Sequence, residues 1–396
     1  MPRLRRSRYV YFYAEDREFL DIASLLRGRA EVASLRRVLA FSVPAARESV
    51  VTRLELDLLL ALRSDRWVDA DAAGPPETIA ALVGAGLVLS DENEAAAAEI
   101  RRREETLAAG AWSPHAALYH FLTTWRDVAL GDGADSGGDG GRAALAAFME
   151  TFGPPPPHFH AVPGAIESVE LPLAGRSGEL EETLLARRTA RAFDPARAVA
   201  LDDLSLVLRY AFGCHGYAPV AEGVTLLRRT SPSGGAMHPV EAYPLVRGVE
   251  GLEPGLYHYA VDRHALDLLR PLSARRAAEL ADVFTCGQAY PRDAAALVVL
   301  TARFGRSFWK YRRHPRAYAV LLLDAGHLSQ TFYLACAALG LGAFVTAAVN
   351  GANIEDELGL DGVAEGTLAV LGCGHPAAAE PGEPEFVPYV PRETAI

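Results

Sequence analysis

Three groups of side chains have types and spacings that could do chemistry. Arg187, Arg188 and Arg191 surround the hydroxyl of Thr189 within five residues. Guanidinium forks match phosphate oxygens, so the cluster could grip a phosphate. Arginines also gather on solvated faces, but Phe193 and the adjoining strand-like runs point to a partly buried cluster, which needs an anion. The stretch 231–239, SPSGGAMHP, sets Gly234 and Gly235 beside Ser233. Glycines let a backbone approach a flat ligand closely, and Ser233 with the amides could bond its polar edge; an ordinary turn would read the same way. Asp324, His327 and Thr331 recur at helical spacing and share one face of an apolar helix. Such a stripe is either a satisfied hydrogen-bond network or the border of a ligand pocket.

Other chemistries lack their signatures. Gly340-Leu341-Gly342 and Gly372-Cys373-Gly374 both miss the third glycine of a dinucleotide fingerprint, and no Walker A sequence occurs. Cys214, Cys286, Cys336 and Cys373 are far apart and form no CxxC pair, so neither a zinc site nor a disulfide framework is expected. His158 and His160 have HxH spacing without further ligands nearby and read as linker residues. No metal is expected. The formal charge of −11 argues against a general nucleic-acid or anionic-membrane binder. No run is long and apolar enough to span a membrane, and a reducing cytoplasm is the default location.

The elements are organised around 304–342. Its first third is basic and aromatic; from Arg316 to Leu339 the pattern predicts one long buried helix, with Pro315 near its start and Gly340 and Gly342 at its end. Before it, residues 1–95 read as a small α/β unit: strands at Tyr9–Tyr13 and Val38–Val43, helices over 51–63 and 75–86, and a strand at 87–89. Helix, turn, helix, strand is the order of a winged helix. Glu77–Gly86 carries no Lys or Arg, so peptide docking or a structural role is favoured over DNA binding. Residues 96–164 read as helices and a flexible, glycine-rich linker at 131–141. Residues 165–396 mix strand-like runs with helices at 180–188 and 201–212, which predicts an α+β domain with a mainly antiparallel sheet under buried helices.

In the order in which they occur, RRTARAF (187–193), SPSGGAMHPVEAYPLV (231–246), GLEPGLYHY (251–259), WKY followed by AYAVLLLDAGHLSQTFYLACAALGLG (309–342) and LGLDG followed by LAVLGCGHP (358–376) resemble the nitroreductase-like flavoproteins, and more closely their SagB-type dehydrogenase branch. The N-terminal order, ending in Gly86-Leu87-Val88, also resembles the leader-binding domains of peptide-modifying enzymes. The first resemblance implies FMN, an intertwined homodimer with its site at the dimer interface, and work on ribosomally made peptides, usually the oxidation of azolines to azoles. It assigns Arg187, Arg188, Thr189 and Arg191 to the FMN phosphate and ribityl chain, with Thr189 where Ser is usual. Ser233, Gly234 and Gly235 would lie along the isoalloxazine of the partner's flavin. Val345, Ala347 and Ala348 would approach it by backbone, where broader nitroreductases often carry Pro, Glu and Gly. His375 is the nearest match to a late basic phosphate ligand.

Lys310-Tyr311 matches the Lys-Tyr pair of azoline dehydrogenases. Aromatising an azoline removes a proton from the α-carbon and a hydride from the β-carbon, so a side chain must accept the proton. A phenol with a pKa near 10 is a poor base at neutral pH, and a nearby ammonium favours the phenolate. Without the resemblance the pair, followed by Arg312, Arg313 and Arg316, would read as a basic surface. The expected protein is therefore an FMN-dependent peptide dehydrogenase with a precursor peptide as substrate. Alternatives are desaturation of a peptide residue, reduction of a dehydroamino acid, or a flavin-free scaffold that recruits a heterocycle-forming enzyme.

Overall fold

The computed structural model describes residues 2–20, 32–92, 94–130 and 178–377, with scattered positions between 143 and 171. The glycine-rich stretch 131–141, His158, His160 and most of the expected strand at 168–173 lie outside the described residues. By its contacts the chain divides into two compact units. One is Met1–Thr124 with Arg303–Leu321 and Asp361–Gly366; the other is Trp125–Ala302 with Leu322–Leu360 and Thr367–Ile396. These divisions do not fall at the expected boundaries of 95 and 165, because segments distant in sequence join the first unit and no local pattern marks them.

In the first unit, β1 (Arg3–Arg6) is followed by β2 (Val10–Leu20), β3 (Val32–Ser42) and β4 (Arg47–Val51). The last three form an antiparallel sheet in that order, with β4 at an edge. Helix α1 (Arg53–Ala61) opens on a capping box: Glu55 N–H donates to the Thr52 hydroxyl at 3.3 Å, and Thr52 N–H donates to the Glu55 carboxylate at 2.7 Å. Then come β5 (Val68–Asp69), α2 (Ala70–Ala73), α3 (Pro76–Gly84) and β6 (Val88–Ser90). The expected helix, turn, helix, strand order is present, with the short β5 and α2 inserted. The basic start of the chain is the middle strand of a second sheet, β5-β1-β6. Arg5 is buried there because Glu104 of α4 (Ala95–Ala109), itself 1% exposed, pairs with it at 2.5 Å. Glu104 also accepts from the Ser7 hydroxyl and the Arg8 amide. Removing one partner of so buried a pair costs on the order of 3–5 kcal/mol. Helix α5 (Pro114–Thr123) carries His120 into an aromatic cluster of Trp112, Phe121, Phe304 and Tyr318. Its ring bonds the Tyr318 hydroxyl at 2.9 Å and the Gly362 carbonyl at 3.1 Å. Burial pushes its pKa down to about 4, because the charged form would have to leave water.

The second unit begins with α6 (Glu179–Ala186) and α7 (Leu201–Phe212), then the hairpin β7 (Gly216–Ala221) and β8 (Val224–Arg228). Strands β9 (Val240–Val246), β10 (Gly255–Ala260) and β11 (Ala265–Pro271), helix α8 (Ala274–Phe284) and strand β12 (Ala296–Arg303) follow. Helix α9 (Phe304–Lys310) belongs to the first unit. Beyond it lie α10 (Ala317–Ala338), β13 (Gly342–Thr346), α11 (Gly351–Leu358) and β14 (Glu365–Gly374). One six-stranded sheet has the order β11-β10-β9-β12-β14-β13, antiparallel at β11–β10, β10–β9, β9–β12 and β14–β13. On one face Val298 and Leu300 pack with Phe212 of α7 and with Phe332 and Cys336 of α10; on the other Leu297 and Val299 pack with Leu280 and Phe284 of α8. A strand covered on both faces reads as an unbroken apolar run, as Ala296–Leu300 does, rather than as an alternation. This is the expected α+β domain with a mainly antiparallel sheet under buried helices.

Candidate active site

The arginine cluster is carried on extended backbone that leaves α6 and runs along β13. Thr189 bridges Ala343 in parallel, and Ala190 N–H donates to the Ala343 carbonyl at 2.8 Å. Further on, Asp194 N–H donates to the His375 carbonyl at 2.9 Å, which sets His375 beside the end of the segment. The approach is close enough to require a glycine in the strand: a Cβ at Gly342 would lie 2.7 Å from that of Ala190. Ala190 and Phe193 anchor the segment in the core, while Arg188 and Arg191 stay exposed. Among the described residues, none of Arg187, Arg188 and Arg191 forms an ion pair with a carboxylate, in a chain with eleven more acidic than basic residues.

Tyr333 of α10 ties this segment to the strand end that the sequence also singled out. Its hydroxyl is 3.1 Å from the Thr189 hydroxyl and accepts the Val345 N–H at 3.0 Å. The Arg187 guanidinium lies over its ring, 5.5 Å from the centroid. Beyond Val345, the Thr346 hydroxyl accepts Ala348 N–H at 3.1 Å, and the Gln288 amide donates to the Ala348 carbonyl at 3.1 Å. Val345 and Ala348 thus use their amides inward, while Ala347 is exposed between them. Tyr333 and Gln288 are absent from the sequence-based set. The available signal for Tyr333 was a phenol in an apolar helix, whose buried hydroxyl requires a partner.

The SerGlyGly loop is held elsewhere on α10. Asp324 accepts from the Ser233 hydroxyl at 2.5 Å and from Gly234 N–H at 3.0 Å. The His327 ring donates to the Pro232 carbonyl at 3.2 Å, and Thr331 shares a 2.6 Å hydrogen bond with the buried Ser231. The polar stripe is therefore a satisfied network gripping this loop. Gly235 has φ 62°, and Ala236 and His238 also lie in the left-handed region, with φ 58° and 46°. Asp324 and Tyr333 are nine residues apart, which on an α-helix is a half-turn around the axis and about 14 Å along it. The arginine segment and the SerGlyGly loop are gripped from opposite faces of one helix.

Lys310 ends α9 and is exposed; Tyr311 is half-buried and caps the helix, its N–H donating to the Ser307 carbonyl at 3.1 Å. Both belong to the first unit, and Trp309 beside them is 60% exposed. Among the described residues no helix is long and apolar enough to cross a membrane, and no group of three or more His, Cys, Asp or Glu could hold a metal ion.

Residues 184–375 match the model of the nitroreductase family. Over 176 residues the chain is 34% identical to the trifolitoxin-processing protein TfxB of Rhizobium leguminosarum bv. trifolii, covering 44% of this chain and 46% of that one. It therefore spans about half the length of that relative. Over 166 residues it is 32% identical to MJ1384 of Methanocaldococcus jannaschii, whose name places it among nitroreductases, covering 41% of this chain and 76% of that protein. The chain belongs to the nitroreductase family. The nitroreductase segment takes in every site residue that the sequence suggested, Lys310 and Tyr311 included, and Tyr333 and Asp324 as well. Residues 1–183 lie outside it. A solved chain of the E. coli microcin synthetase McbBCD complex with truncated pro-MccB17 bound shares the fold, with a TM-score of 0.51 at 20% identity over 72% of this nitroreductase and 99% of that chain.

Proposed function

We propose that this nitroreductase is an FMN-dependent dehydrogenase that matures a ribosomally made peptide, oxidising azoline rings to azoles. The observation that carries the reading is the arginine segment: three guanidiniums without carboxylate partners among the described residues, beside a hydroxyl and pinned to the sheet. That donor set fits a phosphate monoester, so Arg187, Arg188, Thr189 and Arg191 would hold the FMN phosphate and ribityl chain, with His375 near the same end. The trifolitoxin-processing relative supports peptide maturation as the setting. FMN bound there would supply the acceptor for the hydride that leaves the substrate's β-carbon. Lys310 and Tyr311 form the proton-accepting part of the site. One of the two would accept the α-proton of the substrate.

The grip on α10 also supports a homodimer with shared sites. A loop held on the opposite face from the arginine segment is poorly placed to serve the same cofactor and well placed to serve that of a second copy. In the first unit, a groove of about 380 Å³ runs along the edge strand β4 and is lined by Val50, Val51, Glu55, Ala81, Leu82 and Leu87. An edge strand beside a groove that Arg47 and Ser49 also line fits an extended segment added to the sheet, here the precursor's leader. A heterocycle-forming enzyme would supply the azoline.

The test is rapid anaerobic mixing of the oxidised enzyme with an azoline peptide, following the flavin absorbance near ~450 nm, a property of the cofactor. The wild type should bleach. Tyr311→Phe and Lys310→Ala should keep FMN and peptide but bleach more slowly by roughly two orders of magnitude, with effects that do not add, since the two residues act as one unit. Wild-type rates in both variants would reduce the pair to a basic surface. No bleaching of the wild-type flavin by any azoline peptide would move desaturation or dehydroamino-acid reduction ahead.

A further inference from the structure

The Ser233 hydroxyl is the group of the SerGlyGly loop most suited to bond a flat cofactor, yet the structure gives it other partners. Its one proton goes to Asp324 Oδ2 at 2.5 Å, and it accepts His238 N–H at 2.9 Å. The other Asp324 oxygen, Oδ1, takes Gly234 N–H at 3.0 Å. Asp324 is 3% exposed, and among the described residues no cation pairs with it. One buried carboxylate thus uses both oxygens on consecutive residues of one loop. The next turn of that loop places Ala236 and His238 in the left-handed region, which residues with a Cβ leave unless their surroundings over-determine them. The His238 ring adds a second tie, bonding the Leu227 carbonyl of β8 at 3.2 Å.

We propose that Asp324 is the positioning residue that holds the SerGlyGly loop in its left-handed bend, and that Ser233 acts through Asp324 rather than by contact with the cofactor. The inference deepens the proposed function and rests on that reading for the loop's place at an FMN site. The bend itself does not depend on it. Asp324 works as a two-oxygen acceptor: in Asp324→Asn the amide nitrogen faces Ser233, whose hydroxyl can accept it but loses the charged acceptor for its own proton, so the grip weakens. Ser233→Ala removes the proton that reaches Asp324 and the acceptor that serves His238 N–H. Ser233→Thr keeps both.

The experiment measures two quantities on Asp324→Asn, Ser233→Ala, the double variant and Ser233→Thr. One is hydrogen exchange over 231–240 in protein stripped of flavin; the other is the dissociation constant of added FMN. Loop exchange should quicken in Asp324→Asn and Ser233→Ala, with the rest of the second unit unchanged, and Ser233→Thr should restore protection. FMN should bind about tenfold more weakly in each single variant, and the double variant should be no worse than the worse single, because both act through one clamp. Unchanged loop exchange in Asp324→Asn would overturn the positioning role. Full additivity on FMN affinity would overturn the route through Asp324 and return Ser233 to direct contact. If the wild type takes up no FMN at all, the proposed function fails, and the exchange comparison alone still decides the clamp.

Discussion

Tyr333→Phe isolates the tie between the arginine segment and β13. The ring stays, so the packing of Tyr333 in the core beside Phe332 and its contact with Arg187 persist. What goes is one oxygen that joins the Thr189 hydroxyl at 3.1 Å to Val345 N–H at 3.0 Å. An orphaned buried donor costs about 1–3 kcal/mol. Val345 is 37% exposed, so water can reach its neighbourhood and the lower end applies, about 1 kcal/mol. That loss falls on the geometry a bound phosphate needs, because the segment carrying Thr189 would have to be ordered by the ligand itself. FMN should then bind up to about tenfold more weakly, tenfold being ~1.4 kcal/mol, while the melting temperature drops by only a few degrees. Fluorescence titration of flavin-free protein with FMN, beside a thermal melt without FMN, separates the two. An unchanged dissociation constant would show that Tyr333 only fills the core. A loss of a hundredfold or more would mean that its hydroxyl touches the ligand.

The remaining predictions concern the grip, the assembly, the N-terminal groove and pH. Arg187→Ala combined with Arg191→Ala should release FMN from protein with an unchanged circular dichroism spectrum, and full flavin occupancy would remove the phosphate assignment. Light scattering should give about twice the chain mass; a stable monomer that keeps FMN would refute the shared site. Val50→Pro on the edge strand β4 should cost activity on full precursor more than on a leaderless core peptide, whereas equal losses would point to a structural role. His120 has a folded-state pKa near 4 against an ordinary value of 6.5. The unfolded chain therefore takes up the proton first. The stabilisation from keeping His120 neutral is complete above about pH 6.5 and is lost as pH falls toward 4, by up to about 3 kcal/mol. His120→Gln should flatten that part of the profile of melting temperature against pH, and parallel curves for the two proteins would show that other groups carry the acid sensitivity.

What was legible in the sequence is what local pattern encodes. The long helix was visible because one apolar run of Leu, Ala and Tyr has Pro315 before it and Gly340 after it, and the structure ends it within a residue at either side. The arginine segment and the SerGlyGly loop were visible as residue types. Their partners were not, because those lie far along the chain: Thr189 meets Tyr333, and Ser233 meets Asp324. Asp324, His327 and Thr331 announced that something must satisfy them without saying that it would be the loop. Strand β1 was hidden because Arg5 looks like a surface residue until Glu104 is known to lie behind it. The unit boundaries were hidden for a similar reason, since nothing local in 303–321 or 361–366 marks them as belonging with the N-terminal residues.

The contact at Gly342 ties two positions together under sequence drift. The smallest side chain placed there would lie 2.7 Å from the Ala190 methyl and 3.3 Å from the Phe193 ring, closer than carbon atoms tolerate in the first case. The arginine segment would have to move off the strand, and the three guanidiniums would move with it. A methyl gained at 342 is therefore admissible only with one lost at 190, and Ala190→Gly is the substitution that makes room. Two residues that look like unrelated small positions, one before the first sheet strand of the second unit and one in the last third of the chain, share a single allowance of one Cβ between them.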